Sequence, residues 1–168
     1  SKAQNKCGFD VQREIQRQDP NFVELERLAE EKIKSAILNQ DFSRRMAGSV
    51  LTIPVEIHVL HLGEAVGSAT NISDAQIQSS IDNLNDFYGG QTAASPLDFE
   101  IQFALAQRDP SCSATTGINR IDASGVPNYS ANGVSFAGAG ADETTLKDLS
   151  RWPETDYFNI WIVSEIDG

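Results

Sequence analysis

The sequence predicts a layered α/β (α+β) domain, a twisted mixed sheet backed by a helix, with a helical segment in front of it. Three observations carry that reading. Residues 50–60, VLTIPVEIHVL, alternate so that Ile53, Val55, Ile57 and Val59 share one face, the period-two pattern of a strand. Ser73-Asp74-Ala75-Gln76 is a Ser-x-x-Gln capping box, and it opens an apolar stripe at helical spacing through Ile77, Ile81, Leu84 and Tyr88. Residues 157–166, YFNIWIVSEI, are apolar on both faces in their middle, as a central strand covered on both sides must be. Strand, helix, strand and central strand in that order build a sheet with helices laid across it.

In chain order, the first segment is charged and helical. Asp19 is a cap and Pro20 suits a first turn. Phe22, Leu25, Ala29, Ile33, Ala36 and Ile37 then recur at helical spacing among Glu, Lys and Arg. Such a stripe needs a surface to pack on, and the domain that follows is the expected one. Residues 40–48 are polar and contain Arg44-Arg45. In a linker this pair is a natural nicking site; in a turn it is two solvated arginines.

Beyond Gly48 the chain alternates strands and turns. Pro54 cannot donate a ladder hydrogen bond, so it belongs near a strand start or a bulge. Asp74 lies favourably at the positive end of the helix, and Gly89-Gly90 ends it. Phe99 to Ala106 alternates again as a second strand, and Asp109-Pro110-Ser111 makes a turn. Residues 116–121 read as a short strand pairing locally, and residues 123–141 as a long irregular loop rich in Gly, Ala, Ser and Asn. Asp142 to Leu149 reads as a short helix leading to Trp152-Pro153. The two apolar faces at residues 160–163 need more cover than one helix supplies, so the sheet is expected to continue past Gly168.

The 168 residues carry a formal net charge of −11, with 40% hydrophobic and 22% charged residues. That balance suits a folded core and disfavours nucleic acid and anionic lipid as partners, because both are themselves negative. No apolar run approaches the roughly 18–20 residues that span a bilayer. The first residues lack the apolar centre of a signal peptide, so the signal of a secreted protein is expected to have been removed before Ser1. Two cysteines, Cys7 and Cys112, are too few to define a disulfide framework.

Motifs of catalytic chemistry are missing from the sequence. His58 and His61 are the two histidines, and an odd offset along a strand sends them to opposite faces. They read as a strand-surface and a loop histidine. There is no H-E-x-x-H, no Gly-rich phosphate loop and no G-x-S-x-G elbow, and no pair of carboxylates is placed by spacing in one cleft. Asn71-Ile72-Ser73 and Asn128-Tyr129-Ser130 match the glycosylation sequon. Cys7, in Lys6-Cys7-Gly8-Phe9-Asp10, stands outside any predicted core. Its thiolate can occupy the open position of a catalytic zinc and exclude water; equally, it can be an ordinary cysteine, disulfide-bonded or idle.

Five stretches then resemble, in order, consecutive blocks of the pappalysin (cytophagalysin-like) family of metzincin zinc metalloendopeptidases. They are IPVEIHVLHL, NISDAQIQSSIDNLNDFY, FEIQFALAQRDP, TTGINRID and WPETDYFNIWIVSEIDG, within residues 50–168. The helix block and NIWIV are the most specific of them. The resemblance implies a metzincin-like N-terminal subdomain over residues 48–168 and a pro-segment over residues 1–47. It implies that Cys7, in Cys7-Gly8-Phe9-Asp10, is the latent-state zinc ligand of a cysteine switch, and that maturation cleavage falls near Arg44-Arg45.

The same resemblance implies peptide-bond hydrolysis by a zinc-activated water, with protein or peptide substrates and a secreted location. Calcium is compatible with such an enzyme, though no residue here points to it. The family's H-E-x-x-H-x-x-G-x-x-H helix is missing from these residues, so catalytic groups and zinc ligands are expected beyond Gly168 and the chain alone is expected to be inactive. The alternative is a non-catalytic secreted binding or inhibitory module that keeps the fold without the metal.

Overall fold

The computed structural model describes residues 13–38, 50–135 and 138–166. It divides between Ser49 and Val50 into two units, each with its own architecture. Cys7 and Arg44-Arg45 lie outside the described residues. In the first unit a helical turn at residues 13–16 precedes α1 (Pro20–Leu38). The Asp19 carboxylate accepts the Asn21 N–H at 2.8 Å and caps the helix start, with Pro20 just inside it. Glu26 gathers Arg13 and Arg17 on its carboxylate and so ties the turn to the helix. On α1 itself, Arg27 bridges Glu24 and Glu31, and Lys34 pairs with Glu30, at the spacings where helical side chains meet. Leu25 and Ile33 of the apolar stripe are exposed.

In the second unit the alternation of residues 50–60 becomes β1 (Leu51–His61), which is buried without a break from Val55 to Leu60. Three strands pair with it, all parallel: β2 (Ile101–Leu105), β3 (Ile118–Asp122) and β6 (Phe158–Ile162). The Val55 carbonyl accepts from Ala106 N–H, the Ile57 N–H donates to the Gly117 carbonyl, and the His61 carbonyl accepts from Ala123 N–H. Alternate residues of a strand turn their backbone groups to the same edge. β2 and β3 therefore follow one another along a single edge of β1, and β6 takes the other. Gly117 sits at their junction with φ +72°, and a Cβ there would lie 2.6 Å from the Ala106 nitrogen. A side chain has no room at that point.

The odd face of β1 is backed by α2 (Asp74–Tyr88). Its start has the full capping box: the Ser73 hydroxyl accepts Gln76 N–H, and the Gln76 side chain accepts Ser73 N–H at 3.0 Å. Ile77 and Ile81 bury against Val55, Ile57, Val59 and Phe103. Each such side chain contributes about 1.5–3 kcal/mol of transfer free energy. Asn85 docks the helix to β2 by accepting Phe103 N–H at 2.7 Å and donating to the Phe103 carbonyl at 2.9 Å. Arg120 of β3 reaches the other end of α2, holding the Ile72 carbonyl and the Asp74 carboxylate.

A second layer covers the even face. Residues 123–141, expected as an irregular loop, carry α3 (Tyr129–Asn132) and β4 (Val134–Ser135), which pairs with β5 (Ala141–Asp142). The short helix expected over Asp142 to Leu149 follows as α4 (Glu143–Asp148), and Asp142 caps it on Thr145 N–H at 2.8 Å. Leu60, Ala123, Tyr129, Ala141 and Leu146 form its core. The buried Tyr129 hydroxyl donates to the Leu60 carbonyl and accepts Ser164 N–H, joining the layer to the sheet.

Two strand expectations change. The central strand is β1; β6 spans five residues, is half-buried, and leaves Phe158 49% exposed. Apolar residues on both its faces reflect a strand touching both core clusters from the flank. Residues 118–122 pair with β1 and not locally. Sequence windows register neither outcome, because a parallel partner is distant in the chain.

Candidate functional site

Period-two alternation sends Glu56, His58 and Leu60 to the even face of β1, where Leu60 enters the core of the second layer. Glu56 is 1% exposed and His58 is fully buried. Parallel pairing sets Asn159 beside Glu56 and Trp161 beside His58. The His58 ring stacks on Trp161, centroids 4.9 Å apart and planes 20° apart. Its Nε2 lies 2.8 Å from the Asn159 Oδ1. Asn159 is a hub: its Oδ1 also accepts Trp152 N–H at 3.0 Å, and its Nδ2 donates to the Trp152 carbonyl at 3.1 Å and the Tyr157 carbonyl at 3.3 Å.

These contacts decide the histidine's tautomer. Trp152 presents a backbone donor and a backbone acceptor, which fixes the Asn159 amide with its oxygen toward His58. The imidazole must then carry its proton on Nε2. Nδ1 is left as a buried lone pair with no partner among the described residues. Burial pushes the His58 pKa down, opposed by the Asn159 hydrogen bond, so the neutral ring is favoured.

The Glu56 carboxylate is equally solitary. Neither oxygen has a partner among the described residues, and burial raises its pKa to about 7. Trp161 Nε1 and the hydroxyls of Ser150 and Ser164 are also buried without partners there. A folded domain pairs most of its buried polar groups, so such a collection needs a physical account. Around it, Lys147 of α4 lies 5.1 Å from the Trp161 ring centroid and pairs with Glu143. Tyr157 donates to the Arg108 carbonyl at 3.0 Å. Its pKa is raised by burial first, then by the charges of Asp156, Cys112, Asp109 and Glu56.

The site residues expected from sequence are not brought together here. Cys7 lies outside the described residues. His58 and His61 do take opposite faces, but His58 is a core residue and not a strand-surface one, because a second layer covers its face. The His61 Nδ1 accepts Gly63 N–H at 3.0 Å at the end of β1. Among the described residues no group of three or more His, Cys, Asp or Glu can hold a metal. Asn71 is 3% exposed and donates to the Glu64 carbonyl, so its sequon is closed to modification in the fold. Asn128 is exposed. Sequence reasoning missed Glu56 and Asn159. Their signal is a polar residue set at a core position inside an apolar strand.

The fold and this row define a layered α/β domain with a parallel sheet, a backing helix and a buried pair of ionisable groups. Neither a protein-family model nor a curated protein matches the chain. Among solved structures it is similar to mirolysin in complex with a compound, at 30% identity and a TM-score of 0.47, covering 68% of this chain and 42% of that one. It is similar to Tannerella forsythia mature mirolysin in complex with a cleaved peptide, at 32% identity and a TM-score of 0.46, covering 68% and 42%. It is also similar to a Tannerella forsythia promirolysin mutant, at 28% identity and a TM-score of 0.45, covering 81% and 45%. The chain spans less than half the length of these structures.

Proposed function

We propose that this chain is the pro-segment and N-terminal part of the catalytic domain of a secreted zinc metalloendopeptidase of the pappalysin kind, acting on proteins or peptides. The observation that carries the reading is where the family-like blocks fall. IPVEIHVLHL forms the central strand, DAQIQSSIDNLNDFY the backing helix, IQFAL and INRID the two strands along one edge, and FNIWI the strand along the other. Blocks that merely resembled a family by composition would not each coincide with one element of a single sheet.

The described residues do not fit a zinc site. His58 is committed to Asn159, His61 lies on the opposite face, and no third ligand joins either. No catalytic step is therefore assigned to them. On this reading, residues 48–168 build the sheet that walls the cleft and Cys7 in residues 1–47 is the latency ligand. Zinc is held by residues beyond Gly168.

The test is the coding sequence past Gly168 together with the activity of the longer protein. An H-E-x-x-H helix within the next few dozen residues and chelator-sensitive cleavage of a protein substrate support the reading. A stop codon at that point, or proteolysis indifferent to chelators, rejects it. In the longer protein Cys7→Ala should raise basal activity or hasten activation; unchanged latency removes Cys7 from its role.

A further inference from the structure

Residues 151–157, without regular structure after α4, form a strap beside the buried row. Trp152 and Tyr157 hang on the Asn159 amide through three backbone hydrogen bonds, and the same amide oxygen holds His58. The two rings of the strap, Trp152 and Tyr157, meet edge to face at 4.8 Å. Arg151 pairs with Asp148 and Glu154 at the exposed rim.

We propose that Glu56, His58 and Asn159 form a proton-linked latch, which fastens the strap over the sheet while the row is neutral and releases it when Glu56 ionises. The latch stands independently of the protease reading. It rests on a carboxylate that is 1% exposed with both oxygens unpartnered, beside a hub that is the strap's anchor. A neutral acid tolerates such a place. A carboxylate without a cation does not, and an opened strap, whose Tyr157 feels the Glu56 charge, admits water to it.

The surrounding charges leave Glu56 as the group to titrate. On its own strand the neighbour is His58, whose charged form burial disfavours. β6 contributes no titratable side chain. From the strap come Arg151, Glu154, Asp156 and Tyr157; from the turn beyond β2 come Arg108, whose guanidinium donates to the Cys112 carbonyl, and Asp109 and Cys112, which act on Tyr157. From α4 comes Lys147, engaged with Glu143 and the Trp161 ring. None of these cations bonds to Glu56. With Glu56 held at about 7 when covered and regaining an ordinary carboxyl value when wet, ionisation drives opening as pH rises toward neutrality.

Amide exchange of residues 151–157 in the 168-residue chain tests this between pH 5 and 8.5, with intrinsic exchange corrected and α2 amides as the folding control. Strap opening should grow by up to about tenfold per pH unit toward pH 7 and level off above it. Glu56→Gln keeps the shape and cannot ionise, so its strap should show no such rise. Identical pH profiles in wild type and Glu56→Gln overturn the latch, as does a wild-type strap that does not respond to pH. If Glu56→Gln loses α2 protection, Asn159→Ala decides: it should exchange at the strap equally fast at every pH. A surviving pH step in Asn159→Ala overturns the proposal.

Discussion

The amide oxygen of Asn159 lies 2.8 Å from His58 Nε2, although a hundred and one residues separate them in the chain. That oxygen also holds Trp152 N–H, so one side chain fixes a histidine tautomer, joins two parallel strands and anchors the segment between α4 and β6. Removing it strands the buried His58 donor and the part-buried Trp152 N–H at once. Asn159→Ala should destabilise the domain by about 2–4 kcal/mol, since each unsatisfied buried polar group costs roughly 1–3 kcal/mol. Urea unfolding at pH 6 measures it, and a loss under about 0.5 kcal/mol would show that the hub is dispensable.

Glu56 gives the domain a pH-dependent stability of definite sign. Its folded pKa is raised, so the folded state holds its proton more tightly than the unfolded chain does. The benefit is complete below the ordinary carboxyl value and is lost as pH climbs to about 7. Glu56→Gln should therefore gain on wild type by about 2–3 kcal/mol between pH 4.5 and pH 8, because each tenfold difference in proton affinity is worth roughly 1.4 kcal/mol. Thermal unfolding of both proteins across that range provides the comparison; parallel curves would rule the effect out.

His58 works in the opposite direction. Its folded pKa is lowered, so its contribution is present above the ordinary imidazole value and is lost as pH falls through the folded one. His58→Gln should flatten the acid limb of the stability profile while leaving the neutral limb to Glu56. Chemical denaturation at pH 5, 6 and 7 resolves the two limbs.

Gly117→Ala should cost more than the usual glycine replacement. The residue has φ +72°, and the added Cβ would meet the Ala106 backbone nitrogen at 2.6 Å and the Leu105 Cβ at 2.9 Å. Backbone atoms cannot step aside as a flexible side chain can, so the end-to-end alignment of β2 and β3 must give. A loss of about 2 kcal/mol or more is expected, against roughly 1 kcal/mol for Ser73→Ala at the cap of α2. Equal losses would mean that the junction is softer than its geometry implies.

Local chemistry is legible in the sequence wherever neighbours in the chain are also partners in space. The caps at Ser73, with Gln76, and at Asp19, with Asn21, are open to reading, because a cap bonds within a few residues. The alternation of β1 is equally plain. What escapes depends on distant pairing. Ile118 finds Ile57 and Phe158 finds Val55, which no window along the chain contains. That is why the sequence puts β6 at the sheet's centre and has residues 116–121 pair locally. His58 is misplaced for the same reason: its polarity suggests a surface, and only the second layer over its face buries it.

The two strands that share one edge of β1 have a consequence for how the polypeptide is made. β1 is synthesised before every strand it pairs with, and its completion waits first for Ile101, then for Ile118 and last for Phe158. One hydrogen-bonding edge of β1 is filled only in two steps, by β2 and then β3, and the other stays open until β6 emerges. Folding dominated by such long loop closures is slow, and an unpaired apolar strand is a template for other chains. A nascent chain of this topology should depend on chaperone shielding until β6 emerges. Release of the chain truncated before Tyr157 should yield aggregates where the longer chain yields soluble protein.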